Sequence, residues 1–189
     1  MKDLVFGVST ADDIEPKKAV DESTRCVHCQ GLAHHFVATD TSIDTPEAIC
    51  GACVPYYHLN KMGSDNRIVF IPGIAPQWVS HLQKAITIAK QSGNSEKASV
   101  ANDIERWLFA HAKFVAESQW GTDLPQGFNA AVEHTSPHVR IDLFNELALA
   151  NHEEALNAYH EEWSEELPPV SAWQDHYKQF QKFNLVSEE

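Results

Sequence analysis

Cys26-Val27-His28-Cys29 and, 20 residues later, Cys50-Gly51-Ala52-Cys53 are the stretches whose reading decides the fold of this 189-residue chain. A Cys-x-x-Cys segment closes a tight knuckle that turns two thiolates toward one ion. Two knuckles complete a tetrahedral shell with Zn–S near 2.3 Å. Gly51 eases the turn of the second. The opening MKDLVFGVSTADD is too short in its apolar part and too acidic to read as an export signal, so paired cysteines here point to metal rather than to disulfides. We therefore expect one structural Zn²⁺ held by Cys26, Cys29, Cys50 and Cys53. Four thiolates leave no open position for a reacting water, so no catalysis is expected from this metal. The ion should contribute to folding directly, because the residues around it supply only a thin core.

Working outward, the sequence predicts a short strand at Leu4–Val8 and a polar approach over 14–24. A strand is expected at His34–Thr39 between the knuckles, and another at Arg67–Ile71 (RIVFI), stopped by Pro72–Gly73. After that the pattern is helical. Trp78, Leu82, Ala85, Ile86 and Ala89 recur at three and four, giving a first helix over Ala75–Ala89. A second is expected from Ser95 or Ser99 to about Ser118. Residues 119–135 read as a loop, with a turn of helix at Phe128–Glu133. Ser136–Pro137 starts a third helix whose apolar side runs through Leu143, Leu147 and Leu156 to Trp163. Pro168–Pro169 ends it, and Ser171 caps a last helix to about Phe183. The expected fold class is α+β: a Cys₄ zinc module with short strands over residues 1–72, then a mainly helical region over residues 73–189 packed on it.

Charge narrows the function. The net charge is −13, from 14 Lys+Arg against 27 Asp+Glu. A nucleic-acid binder must offer cations to phosphates, and neither half of this chain is basic, which speaks against a zinc ribbon that binds nucleic acid. Between Ile141 and Tyr177 there is no Lys or Arg, a run that reads as a solvated acidic face or a docking surface for a basic partner. No apolar run approaches the ~20 residues that cross a bilayer, so no direct membrane insertion and a cytoplasmic location are expected. There is no phosphate-binding glycine loop, nucleophile elbow or His-Glu-x-x-His pair.

The order of elements (a Cys pair, a strand with His34-His35, a loop, a second Cys pair, then a helix with His58) resembles the zinc-stabilised HNH, or ββα-metal, module. In active members the strand histidine serves as general base, and further His, Asp or Asn side chains hold a Mg²⁺-type ion. On that pattern His34 or His35 would act with His58, and Asp40 or Asp44 would add a carboxylate. The departures are Thr45, where such nucleases usually carry Asn, and Val54, where His often follows the second pair. The alternative for these histidines is ordinary packing, with one of His34 and His35 facing solvent. His28 is expected to be exposed. A degenerate HNH scaffold is thus preferred to a metal-dependent HNH endonuclease, which remains the alternative.

The progression Arg25-Cys26-Val-His-Cys29, Ala48-Ile49-Cys50-Gly-Ala-Cys53, Arg67-Ile-Val-Phe-Ile-Pro72 and the helix Trp78–Ala89 is similar to the IcmJ/DotN proteins of type IVB (Dot/Icm) secretion systems. The likeness covers roughly residues 4–90, and only the four cysteines carry over residue by residue. It implies a non-enzymatic subunit of the coupling complex that recruits effector substrates, cytoplasmic and brought to the inner-membrane face through its partners. The implied partner is a tail segment of the coupling ATPase. Aromatic residues beyond the needs of a zinc knuckle suit capture of such a segment, with Trp120 in its loop as the first candidate for an exposed anchor.

Overall fold

The computed structural model describes residues 2–9, 24–40 and 44–157. It is an α+β arrangement in which a two-stranded ladder separates two apolar cores. After the extended segment 2–9 come β1 (His35–Val37) and β2 (Glu47–Ile49), an antiparallel pair in register His35 with Ile49. Two 3₁₀ turns, Val54–Tyr57 and Leu59–Lys61, lead to β3 (Arg67–Phe70). The helices α1 (Pro76–Gln91), α2 (Ser95–Ala110), α3 (Ala112–Ala116), α4 (Pro125–Glu133) and α5 (Pro137–Leu143) follow. Then come β4 (Leu147–Ala150) and α6 (Glu153–Asn157).

β3 and β4 pair antiparallel, with Ile68 opposite Leu149 and Val69 opposite Ala148. Alternation along the strands sends Ile68, Leu147 and Leu149 into one core and Val69, Ala148 and Ala150 into the other. The first core also holds Leu4, Phe6, the cysteine knuckles, Tyr56, Phe128, Val132 and Phe144. The second is closed by Val79, Leu82 and Ile86 of α1 with Ala101 and Leu108 of α2. Both ladder edges are covered, which removes the hazard of an open strand. On the β3 side the Ile68 N–H donates to the Asp123 carbonyl at 2.7 Å. On the β4 side Gln83 Nε2 donates to the Leu149 carbonyl at 2.8 Å, and Gln83 Oε1 accepts from the Asn151 N–H.

α1 begins with Pro76, whose missing N–H is no loss in a first turn, and it is buried on nearly every side. Gln77, Ser80, His81, Gln83, Lys84 and Thr87 are all buried along with its apolar stripe. It is therefore a central helix, and its polar side chains serve as struts to its neighbours. α2 starts where Asn94 Oδ1 accepts the Lys97 N–H at 3.0 Å, an N-cap bond.

Several expectations are corrected. Leu4–Val8 is extended but forms no ladder; it is held by Gly7 N–H to the Tyr56 carbonyl and by Ser9 N–H to the Tyr57 carbonyl, both at 3.1 Å. The second helix is broken at His111, whose Nδ1–H takes the Trp107 carbonyl at 2.9 Å in place of the regular backbone donor. The supposed loop contains α4, begun by Pro125, one turn earlier than expected. The long third helix does not exist as such: Ser136–Pro137 starts α5, but the chain then passes through Glu146 at φ 64° and enters β4. The helix after the second Cys pair is replaced by the two 3₁₀ turns. The continuation of the third helix past residue 157, the approach over 14–23 and the last helix at Ser171–Phe183 lie outside the described residues.

Candidate metal centre

Each knuckle is built by its own backbone. In the first, the Cys26 N–H donates to the Gly31 carbonyl at 2.7 Å and the Gln30 N–H donates to the Cys26 carbonyl at 3.0 Å. Gln30 closes it at φ 62°. In the second, the N–H groups of Cys53 and Val54 both donate to the Cys50 carbonyl, at 2.9 and 3.1 Å. The Val27 N–H donates to Ala48 at 3.0 Å, which ties the first knuckle to β2.

The four sulfurs lie within 4.8 Å of one another, and Cys29 Sγ is 3.4 Å from Cys50 Sγ. Tetrahedral coordination at about 2.3 Å places sulfurs about 3.8 Å apart, so the cluster has the size of a single-ion shell. Cys26, Cys50 and Cys53 are buried and Cys29 is half-buried. Acidity is divided unevenly among the four thiols. Hydrogen bonding from Cys26, then from Cys50 and Cys53, holds Cys29 far below the ordinary thiol range. Hydrogen bonding to Cys26 and Cys29 pushes Cys50 and Cys53 well above it, and burial adds to that. A bound divalent ion deprotonates all four thiols and neutralises part of the resulting charge. The donor set fits one metal ion.

The histidines fall in different places. His28 is fully buried, not exposed. Its Nδ1 lies 3.2 Å from the Lys2 carbonyl and its Nε2 2.7 Å from the Tyr57 hydroxyl. A carbonyl only accepts, so Nδ1 carries the proton and Nε2 accepts from Tyr57. Desolvation favours this neutral form by lowering the ring's pKa. His28 thus clamps the N-terminal segment to the knuckle. Gly7 completes that contact, because a Cβ there would meet the Tyr57 ring at 2.6 Å.

His35 and His58 are buried and His34 is half-buried. Asp44 and Thr45 are exposed. Asp40 is engaged elsewhere: its Oδ2 is 2.7 Å from Nη1 of the buried Arg140, whose Nε donates to the Thr135 carbonyl at 2.8 Å. Among the described residues the four cysteines form the one group of three or more side chains whose donor atoms converge as metal ligands. Trp120 is not a free anchor; it is half-buried against Phe128 and Phe144, with ring centroids 4.9 and 5.4 Å away.

Two residues beside the cluster escaped the sequence reading. His81 Nε2–H donates to the Cys29 carbonyl at 3.2 Å. Lys84, one turn later on α1, faces the same knuckles with Cys29 and Cys50. The available signal was a helix that carries polar residues on its apolar face as well as opposite it.

Among the described residues no helix is long and apolar enough to cross a membrane. No family model matches the chain, and no curated protein matches it.

Proposed function

We propose that this chain is a zinc-stabilised, non-enzymatic interaction subunit, of the kind that works in a type IVB secretion coupling complex. There it would hold a tail segment of the coupling ATPase and help recruit effector substrates. The observation that carries the structural half of this reading is the cysteine cluster: four sulfurs within 4.8 Å, mostly buried, in a shell with no place for substrate. Such an ion organises a fold and does not catalyse.

The remaining support is negative charge and geometry. Of the side chains that an HNH nuclease would use, Asp40 is already paired to the buried Arg140, and Thr45 stands where such enzymes usually carry Asn. The net charge of −13 repels a phosphate backbone. An apolar groove of about 520 Å³ is lined by Phe70, Phe114, Trp120, Leu143 and Leu147. Phe114 is 59% exposed at its rim, the kind of surface on which an extended partner segment is held.

The test uses the full purified chain. Elemental analysis should give one zinc per chain. Titration with peptides spanning the cytoplasmic tail of the host's coupling ATPase should show saturable one-to-one binding, and incubation of DNA with Mg²⁺ or Mn²⁺ should leave it intact. Zinc without tail binding would remove the secretion assignment and leave a metal-stabilised fold. DNA cleavage that disappears in a still-folded His35→Ala variant would make the chain an HNH endonuclease.

A further inference from the structure

We propose that Lys84 is the counter-cation of the metal centre, its ammonium group offsetting the negative charge that a divalent ion leaves on four thiolates. This inference rests on the metal-centre reading above and adds a residue that no ligand motif contains.

Lys84 is 7% exposed, in the middle of α1. Lysine seldom lies this deep without an opposing charge near its ammonium group; the stem of Lys84 is buried, while its Nζ keeps some contact with water. The described ion pairs engage Lys2, Arg67, Lys90, Arg106, Lys113 and Arg140. Among the described residues no carboxylate pairs with Lys84. What stands beside it is the cysteine cluster. Lys84, His81 and Ser80 of α1 close a cavity of about 10 Å³ against Cys29, Gly31 and Cys50, with room for at most one water. A divalent ion with four thiolates carries a net charge of −2, and in surroundings poor in water that charge acts strongly on a neighbouring cation. Lys84 is thus the cationic side chain that shares a cavity wall with two of the four cysteines.

His81 fixes the approach. It lies three residues before Lys84 on the same helix face, and its bond to the Cys29 carbonyl holds α1 against the first knuckle. The ligands come from the N-terminal loops, and the compensating charge comes from the central helix. Outer-sphere partners of this kind commonly change metal affinity by about 10–100-fold.

Zn²⁺ affinity of the full chain, measured by competition with a chromogenic chelator at neutral pH, tests this. Far-UV circular dichroism at saturating zinc checks the fold of each variant. Lys84→Met and Lys84→Gln remove the charge with different packing, and each should weaken zinc binding by about 10–100-fold. Lys84→Arg keeps the charge and should recover most of the affinity. Neutral variants that bind zinc as tightly as the parent would overturn the inference, leaving a lysine whose buried stem serves packing alone. An arginine variant as weak as the neutral ones would overturn it too, because shape and not charge would then matter. A parent chain that binds no zinc would instead remove the metal-centre reading itself.

Discussion

Replacing Tyr56 by Phe removes one oxygen atom and isolates the bond that joins the cysteine knuckles to the ladder. Tyr56 is fully buried and stacks on Phe6 with ring centroids 5.3 Å apart. Its hydroxyl accepts from the Leu149 N–H at 3.0 Å and donates to the Pro76 carbonyl at 3.4 Å. Phe keeps the ring, the stacking and the apolar burial. The Pro76 carbonyl loses a long, weak contact and still accepts from Ser80 Oγ at 3.4 Å, so that side contributes little. The Leu149 N–H is different, because Leu149 is fully buried and the N–H is left without an acceptor. Stranding a buried donor costs about 1–3 kcal/mol, and with the small Pro76 contribution we expect a loss near 2 kcal/mol. For a domain of this size that lowers Tm by about 4–8 °C. Burial raises the Tyr56 phenol well above its ordinary value, so the hydroxyl stays neutral through the working pH range. Urea unfolding of the zinc-saturated protein, followed by circular dichroism, reads the effect as a lower midpoint at unchanged slope. A loss under about 0.5 kcal/mol would refute the reasoning, since it would mean that the Leu149 N–H finds another acceptor at almost no cost.

Gly7→Ala should destabilise by about 1–3 kcal/mol in the same assay, because the Tyr57 ring that the new methyl meets is already held by His28. Lys90 lies 2.7 Å from Glu105 and 3.3 Å from Glu153, and although desolvation opposes the charge, these partners raise its pKa above 10.5. Its contribution is therefore complete below pH 10.5 and is lost as pH climbs through the raised folded value; Lys90→Met, costing about 0.5–1 kcal/mol at neutral pH, should narrow its gap to the parent in urea titrations above that pH. Phe114→Ser, at an exposed rim position, should change stability by less than about 0.5 kcal/mol yet weaken calorimetric binding of the proposed partner, the ATPase tail peptide; unchanged binding would move the proposed docking site elsewhere. Chelation of the metal should lower the thermal midpoint of the N-terminal core, where Cys26, Cys50 and Cys53 are themselves packing residues, and added zinc should restore it.

The cysteine knuckles were legible because ligand spacing is a local property, and α1, β3 and the start of α2 were legible because their periodicity or cap is written within a few residues. β4 was not. Leu147-Ala148-Leu149-Ala150 carries good helix formers at helical spacing, and only pairing with β3, about 80 residues earlier, makes it a strand. The break at His111 was hidden for a related reason, since the side chain that takes the Trp107 carbonyl also fits the apolar stripe. At the metal centre the ligands could be read but their surroundings could not: His28 was expected outside because polar residues usually are, and its burial depends on Tyr57 and on a carbonyl from Lys2. His81 and Lys84, both more than 25 residues past the last cysteine, reach the centre from α1, a distance no spacing rule spans.

The separation of β3 from β4 also imposes an order in time on a chain emerging from the ribosome. The knuckles and the β1–β2 hairpin are complete once residue 61 has appeared, and metal can close that unit early. β3 then waits, with its pairing edge unmet, through the synthesis of five helices before Leu147–Ala150 arrives. Closing so long a loop is slow, and a waiting strand is open to pairing with another chain. A nascent chain stalled before residue 147 could thus load metal at the knuckles and still be prone to aggregate, so the emergence of β4, and not metal loading, sets the moment at which the molecule becomes safe.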